Sequence, residues 1–550
     1  SRERHVKERR LEQGIQSVGS IRGNSSHEHN PFIVLRRPSA TENAGEVMGF
    51  SLIYSGNHRM QAEVDTHDTT RITVGINPQN FGWKLDCGES FQTPEAVVVF
   101  SDKGLNGMSQ TFHKLYQKRL ARGYWRDRPR PILNNNWEAT YFDFTEDRLV
   151  EIAAKAKECG VELFVLDDGW FGARSNDHAG LGDWVANRER LPRGIKGIAD
   201  RIEEMGMKFG LWFEPEMVNK DSDLYRAHPD WILQTPQRLS CHGRNQYVLD
   251  FSRKEVVDGI FAQIAKVLDD TKADYVKMDM NRHLTDIWSK TAAEQNQGAI
   301  LHRYVLGVYD FLERLHERYP DLLIEGCSGG GGRFDAGMLY YTPQIWCSDN
   351  TDAVERIKIQ YGTSFAYPSC TVGSHVSAVP NHQTGRMTEL ATRAAVAMAG
   401  SFGYELDLNL LTEEEKEQVR EQIKNYHRFE MLIRQGRYYR LTDVWQKKEY
   451  AAWEYCRPDG SEALVTVVTL DTQCNPATEY VKLRGLGEDK KYRVEVVGMQ
   501  TGGENGQRIN GTPNSVEPEY YTGAQLVHAG LPVPRLGNEY KSWQVYVKEV

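Results

Sequence analysis

Tyr275-Val276-Lys277-Met278-Asp279-Met280-Asn281-Arg282 is the stretch on which the fold turns. It reads as a short apolar strand, Tyr275–Met280, that ends in charge. Side chains alternate along a strand, so Lys277 and Asp279 point the same way. Seven more strands of this kind are read at 132–137, 163–168, 209–213, 322–327, 344–349, 370–373 and 401–406. Helices with 3.6-residue spacing run between them. In one, Leu149, Ile152, Ala153 and Ala156 share a face, with Thr145 placed to cap it and Gly160 to end it. Leu301, Tyr304, Val305, Val308, Leu312 and Leu315 form another stripe, closed by Pro320. The last helix opens with Thr412-x-x-Glu415, a capping box. Eight strand–helix units over residues 131–439 predict a (β/α)8 barrel, the TIM fold. A doubly wound open sheet is the competing architecture, but it does not need eight repeats.

The flanks differ in rhythm. Residues 1–103 read as strands: 51–54 before the Gly56-Asn57 turn, then 62–64, 72–74, and a more fully buried strand at 96–100. Residues 104–130 read as a helical linker, with Phe112, Leu115 and Leu120 set among Lys and Arg and a Pro-rich boundary at 126–131. Residues 440–550 return to strands, at 463–470 after the Asp459-Gly460 turn and at 481–483, 492–497 and 543–547. The expected architecture is therefore multidomain, α/β plus all-β, with the barrel ahead of a C-terminal antiparallel β-sandwich.

Composition agrees with this and narrows the function. The 550 residues are 40% hydrophobic and 26% charged, an ordinary globular balance. A net charge of −9 without a long basic run argues against nucleic acid as a partner. No window is apolar enough to span a membrane. The eight cysteines are scattered without a C-x-x-C pair, which reads as reduced thiols in the cytoplasm. Asn24-Ser25-Ser26 and Asn510-Gly511-Thr512 match the glycosylation pattern, a motif short enough to arise by chance.

A barrel's site lies at the C-terminal ends of its strands. Here those ends carry Asn134-Asn135-Asn136-Trp137-Glu138, Asp167-Asp168-Gly169-Trp170, Trp212-Phe213-Glu214-Pro215-Glu216, the Asp279 segment, Cys327-Ser328 with Gly329–Gly332, and Trp346-Cys347-Ser348-Asp349-Asn350. Aromatic plates among hydrogen-bonding acids suit sugars, which have apolar C–H faces and a rim of hydroxyls. Glycoside hydrolysis then needs two carboxyls, ~5–5.5 Å apart in a retaining enzyme. Asp279 and Asp349, from strands 4 and 6, can face each other across the barrel mouth. Lys277 would keep Asp279 ionised, as a nucleophile requires, while Asp349 needs a raised pKa to donate a proton.

Plainer readings stand beside these. Asp167 and Asp168 could cap a helix. Trp170 reads as core. Glu214 and Glu216 could pair with nearby arginines. The glycines at 329–332 are not followed by Gly-Lys-Ser/Thr, so they read as a close approach of backbone to ligand rather than a phosphate cradle. Lys277, Asp279 and Asn281 could form a Mg²⁺ site of a barrel lyase or isomerase, but that leaves the tryptophans unexplained. The sixteen histidines show no H-E-x-x-H pattern, which argues against zinc.

Together, 275–282, 346–352, 164–172 and 210–217 closely resemble the bacterial α-galactosidases of glycoside hydrolase family 36, as do Arg22-Gly23-Asn24-Ser25-Ser26-His27 and His29-Asn30-Pro31-Phe32. The resemblance runs along essentially the whole chain. It implies a retaining hydrolase of terminal α-D-galactosides such as melibiose and raffinose, without metal or cofactor. Asp279 falls on the family's nucleophile and Asp349 on its acid/base. Asp167 and Asp168 fall on the pair that grips the 4- and 6-hydroxyls, Lys277 and Arg244 on the 3-hydroxyl region, and Cys327 and Gly330 on the 2-hydroxyl. Trp212 falls on an apolar wall near the sugar and Trp137 on the pocket mouth. Asn281 completes the expected binding set. Transgalactosylation, α-N-acetylgalactosaminidase activity and a galactosyl transferase are the family's close variants. The resemblance also implies a homo-oligomer, tetrameric in relatives, and makes residues 1–103 the C-terminal portion of a longer N-terminal β-sandwich.

Overall fold

A computed structural model describes residues 3–474, 477–497, 519–534, 536 and 538–550. The sequon at Asn510 lies outside these.

Eight parallel strands close into a barrel in sequence order: Leu133–Asn135, Leu163–Leu166, Lys208–Phe213, Tyr275–Met278, Leu323–Gly326, Gln344–Trp346, Val372–Ser377 and Ser401–Glu405. Closure is made where Gly403 pairs with Leu133 and Tyr404 with Asn134. We number these barrel strands 1 to 8. Six of the predicted strands extend past the true ends, because each runs straight into the polar residues of the site. The seventh is displaced rather than long. Ser369–Thr371 forms a 3₁₀ turn and the strand follows at Val372–Ser377. Its sequence, Val-Gly-Ser-His-Val-Ser, is buried along its whole length yet half polar, so apolar periodicity does not reveal it.

The helices match the spacing that predicts them. Thr145 accepts the N–H of Arg148 at the start of Glu146–Glu158, and Gly160, at φ +102°, turns the chain out of it. Both halves of the Thr412/Glu415 capping box form at the head of the 23-residue helix Glu413–Gln435. Helix Ile300–Arg318 buries Tyr304, Val308, Leu312 and Leu315 in the main core and Val305 against Leu52 and Tyr54.

Before the barrel stand two three-stranded antiparallel sheets, one of Gly14–Gly19, His58–Val64 and Thr70–Ile76, the other of Phe32–Arg36, Val47–Ile53 and Glu95–Ser101. The last strand is not the buried one that its run of valines suggests. Val99 is buried, while Val98 and Phe100 are 54% and 59% exposed. Helix Gly104–Leu115 then leads into the barrel, with Phe112 buried. After the barrel, a six-stranded antiparallel sheet is formed by Arg437–Arg440, Tyr450–Cys456, Glu462–Thr469, Ser542–Glu549, Lys491–Val496 and Glu519–Thr522, in that spatial order. The strand predicted at 481–483 shrinks to Tyr480–Val481, paired with Leu531–Pro532. No helix of the described residues is long and apolar enough to cross a membrane. Their eight cysteines are all free thiols. Asn24, in the first sequon, is buried and its amide lies 3.8 Å from the sulfur of Met280.

Candidate active site

The C-terminal ends of the strands surround a cavity of about 200 Å³. That is below the usual range for drug-sized ligands and of the size of one sugar ring. Its lining includes Trp137, Asp167, Asp168, Arg244, Lys277, Asp279, Asn281 and Asp349. These eight of the eleven predicted site residues come from five different segments of the chain.

Asp279 follows strand 4 directly and is held by four donors. Its Oδ1 accepts from the N–H groups of Met280 (2.8 Å) and Gly329 (3.1 Å). Its Oδ2 accepts from the Asn281 amide (2.9 Å) and the Trp212 indole (3.2 Å). Burial alone would raise its pKa. The Lys277 charge, the Cys327 thiol and these hydrogen bonds outweigh burial and hold it below the ordinary carboxylate value. Asp349 has the opposite fate. Burial first, and then the negative charge of Asp279, push it up to about 6, against weaker help from Lys277 and Arg244. The Trp346 indole donates to its Oδ1 at 3.0 Å. One cavity thus holds one carboxyl that favours ionisation and one that favours its proton, the pattern that separates base from acid.

The tandem acids of strand 2 are anchored separately and cap no helix. Asp167 Oδ2 accepts from Lys277 Nζ at 2.9 Å and from the Asn135 amide at 2.6 Å. Asp168 takes both arms of the Arg174 guanidinium, at 2.9 and 2.8 Å. Burial pushes Asp168 up, and Arg174 works against it. Lys277 is buried, yet Asp167 and its acidic neighbours hold its ammonium charged. Arg244 reaches the cavity from a loop in which it and Asn245 both have positive φ.

Three predicted residues are not among those that line the cavity, though each packs on the aspartates. Trp212, expected as a wall, is 2% exposed, stacks with Phe171 and meets Trp184 at a tilt, and its N–H reaches Asp279. The indoles that do line the cavity are Trp137 and Trp346. Cys327 and Gly330, expected beside a hydroxyl, adjoin the two aspartates. The Cys327 thiol serves Asp279, and Gly330 packs on the backbone of Ser348 and Asp349. The reason is common to all three. Strand-end residues can face the cavity or support those that do, and spacing does not distinguish the two. Of the other acids, Glu216 pairs with Arg333 (2.7 Å), whereas Glu214 finds no arginine. It accepts from the Gln246 amide at 3.0 Å and from the Asn281 N–H, and burial followed by Asp279 pushes it to about 7.

Six lining residues were missed: Glu138, Trp346, Thr351, His382, Gln383 and Glu405. Glu405 ends strand 8 and was open to the same strand-end reading. Its pKa is raised by burial but lowered further by His375, whose Nδ1 is 3.1 Å away. His382 and Gln383 follow strand 7, whose end was misplaced. Gln383 donates to the Asp349 carbonyl at 2.8 Å, and Glu138 ties the His382 ring to Thr351. Among the described residues no group of three or more His, Cys, Asp or Glu is arranged to hold a metal ion.

Fold and site together define a barrel glycoside hydrolase. Three family descriptions match in order along the chain: the glycosyl hydrolase family 36 N-terminal domain over residues 1–86, Melibiase over 90–436, and the family 36 C-terminal domain over 450–547. The chain belongs to the α-galactosidase family, glycoside hydrolase family 36. It is 50% identical over 549 residues to α-galactosidase AgaA of Geobacillus stearothermophilus, spanning 100% of this chain and 72% of that one. It is 47% identical to α-galactosidase Mel36A of Lactobacillus acidophilus, again over 100% and 72%. The crystal structure of AgaA superposes with a TM-score of 0.93, covering 98% of this chain and 72% of that one. Variants of AgaA have been solved in complex with raffinose and with stachyose.

Proposed function

We propose that this chain is a retaining, exo-acting α-galactosidase that removes terminal α-D-galactosyl residues from oligosaccharides of the melibiose and raffinose type. The observation that carries the reading is the pair of carboxyls in one small cavity, Asp279 held down and Asp349 pushed up to about 6. Asp279 attacks the anomeric carbon while Asp349 protonates the leaving oxygen, giving a covalent galactosyl-enzyme. Asp349 then takes a proton from water, which releases galactose with its α configuration. A sugar in place of water gives transgalactosylation.

The relatives support the assignment. The raffinose and stachyose complexes each contain an aspartate substitution, and those two aspartates are separated along that chain by the same interval as Asp279 and Asp349 here. Asp167 and Asp168 account for galactose over glucose. Each is buried and already fixed by a cation, so its remaining lone pairs have a set direction. An equatorial 4-hydroxyl leaves those lone pairs unmet, which discriminates far more strongly than a missing methylene. No cofactor enters this mechanism. Where the rival metal reading needs an ion, the Lys277 ammonium already supplies positive charge. Eight free thiols fit a cytoplasmic enzyme, and a homo-oligomer belongs to the same reading.

The test is hydrolysis of p-nitrophenyl α-galactoside by wild type and Asp279→Ala. Turnover should vanish in the variant, and wild-type turnover would remove Asp279 as nucleophile. Asp349→Ala with azide should form the α-galactosyl azide, because azide enters from the face that Asp349 guards. The β-anomer would reverse the two roles.

A further inference from the structure

The glycine loop after strand 5 touches the Asp279 carboxyl and the backbone that carries Asp349. Gly329 N–H donates to Asp279 at 3.1 Å. Gly330 has φ +77°, and a Cβ there would lie 2.7 Å from the Asp349 nitrogen and 2.8 Å from Ser348 Cα. A shift of this loop therefore moves nucleophile and acid/base together. Four consecutive glycines have the greatest backbone freedom a sequence can offer, so the loop needs outside support to be rigid.

That support comes from the segment ahead of the barrel. Arg4 Nη2 donates to the Gly331 carbonyl at 2.6 Å and His27 Nε2 is 2.7 Å from that of Gly329, while Ser25 Oγ donates to Asp335 at 2.6 Å and packs 3.3 Å from the Gly332 carbonyl. A carbonyl only accepts, so His27 Nε2 carries the hydrogen. The fourth carbonyl, of Gly330, accepts from Ser328 N–H within the loop. The same segment also grips the other side of Asp279. Leu284 N–H donates to the Arg22 carbonyl at 3.0 Å, and the Asn24 amide lies 3.4 Å from Nδ1 of His283.

We propose that Arg4 and His27 clamp the glycine loop and thereby hold Asp279 and Asp349 in register for the two displacements. They are positioning residues of the N-terminal domain, and this role rests on the α-galactosidase reading above. Misplacing reacting groups by about 1 Å can cost ~10²-fold in rate.

His27 is exposed, so its variants should fold. His27→Ala and His27→Phe, the latter keeping a ring without the N–H, should lower kcat on p-nitrophenyl α-galactoside about 10- to 100-fold. KM and inhibition by galactose should stay within about two-fold, since substrate is not touched. His27→Gln, which restores a donor at similar reach, should recover most of the loss. Glu28→Ala, on the same loop but paired with Arg22, should match wild type. Wild-type kcat in both His27→Ala and His27→Phe overturns the clamp, as does a loss that appears in KM alone or that His27→Gln leaves unrecovered. Asp279→Ala separates the two readings. Wild-type turnover there removes the nucleophile assignment, whereas abolished turnover there beside wild-type His27 variants removes only the clamp.

Discussion

The indole N–H of Trp346 donates to Oδ1 of Asp349 at 3.0 Å, and both residues stand at the end of barrel strand 6. The carbonyl oxygen of a carboxylic acid is its better acceptor, so this bond favours the proton on Oδ2. The Trp346 ring is itself held by Arg356, at 4.4 Å from its centre, and by His375, at 4.5 Å. Trp346→Phe removes the donor and lets the proton settle on either oxygen. We expect kcat on melibiose, whose leaving group needs protonation, to fall about 10-fold or more, and kcat on p-nitrophenyl α-galactoside to fall much less. The ratio of the two rates in wild type and variant is the measurement. An unchanged ratio removes the role.

The pH dependence follows from the same carboxyls. Asp279 must be ionised and is held below the ordinary carboxylate value, so the acid limb of kcat/KM should lie low. Asp349 must be protonated and is pushed to about 6, so activity should decline above roughly that pH, about tenfold per unit. These limbs belong to the interacting pair rather than to either residue alone. A profile that is flat to pH 8 would contradict the assignment.

Arg174 and Asp168 form a two-pronged pair with side chains 2% and 10% exposed. Arg174 also donates to the Asn219 side chain at 3.1 Å. Arg174→Met strands a buried carboxylate, a loss of about 3–5 kcal/mol for such pairs. The expected result is a lower thermal midpoint and a raised KM. Arg174→Lys keeps charge but not the fork, and should fall between. Calorimetry together with KM on one galactoside checks both.

Far from the site, Glu454 lies fully buried in the C-terminal sheet. One oxygen accepts the Arg484 N–H at 2.7 Å, and the other is without a partner among the described residues. Burial pushes it from 4.5 to about 8. A carboxyl whose folded pKa exceeds its unfolded value binds more protons when folded. Its effect is harmless below pH 4.5, and stability is then lost as pH rises from there to about 8. Glu454→Gln should flatten the fall of the thermal midpoint over that window. Parallel wild-type and variant curves would rule this out.

The barrel could be read from sequence because its strands announce themselves locally, as apolar runs ending in acids, and its helices through caps such as Thr412 and Glu415. Strand 7 was misread for the converse reason. Val372–Ser377 is buried on both faces, and its Ser and His side chains find partners that only the closed barrel supplies, as Ser374 does in Gln360 and His375 in Glu405. That error hid His382 and Gln383.

By itself, the sequence determined the order of elements, the two catalytic candidates and the tandem acids, all of which are properties of short contiguous segments. Tertiary structure decided which strand-end residues face the cavity and which stand behind it. It put Trp212 and Cys327 against Asp279 and Gly330 against the Asp349 backbone, and brought Glu405 and Trp346 to the wall. It also set Asp279 and Asp349 on opposite sides of the ordinary carboxylate value. Two identical side chains differ there only through burial and through the charges and donors that distant segments place around them.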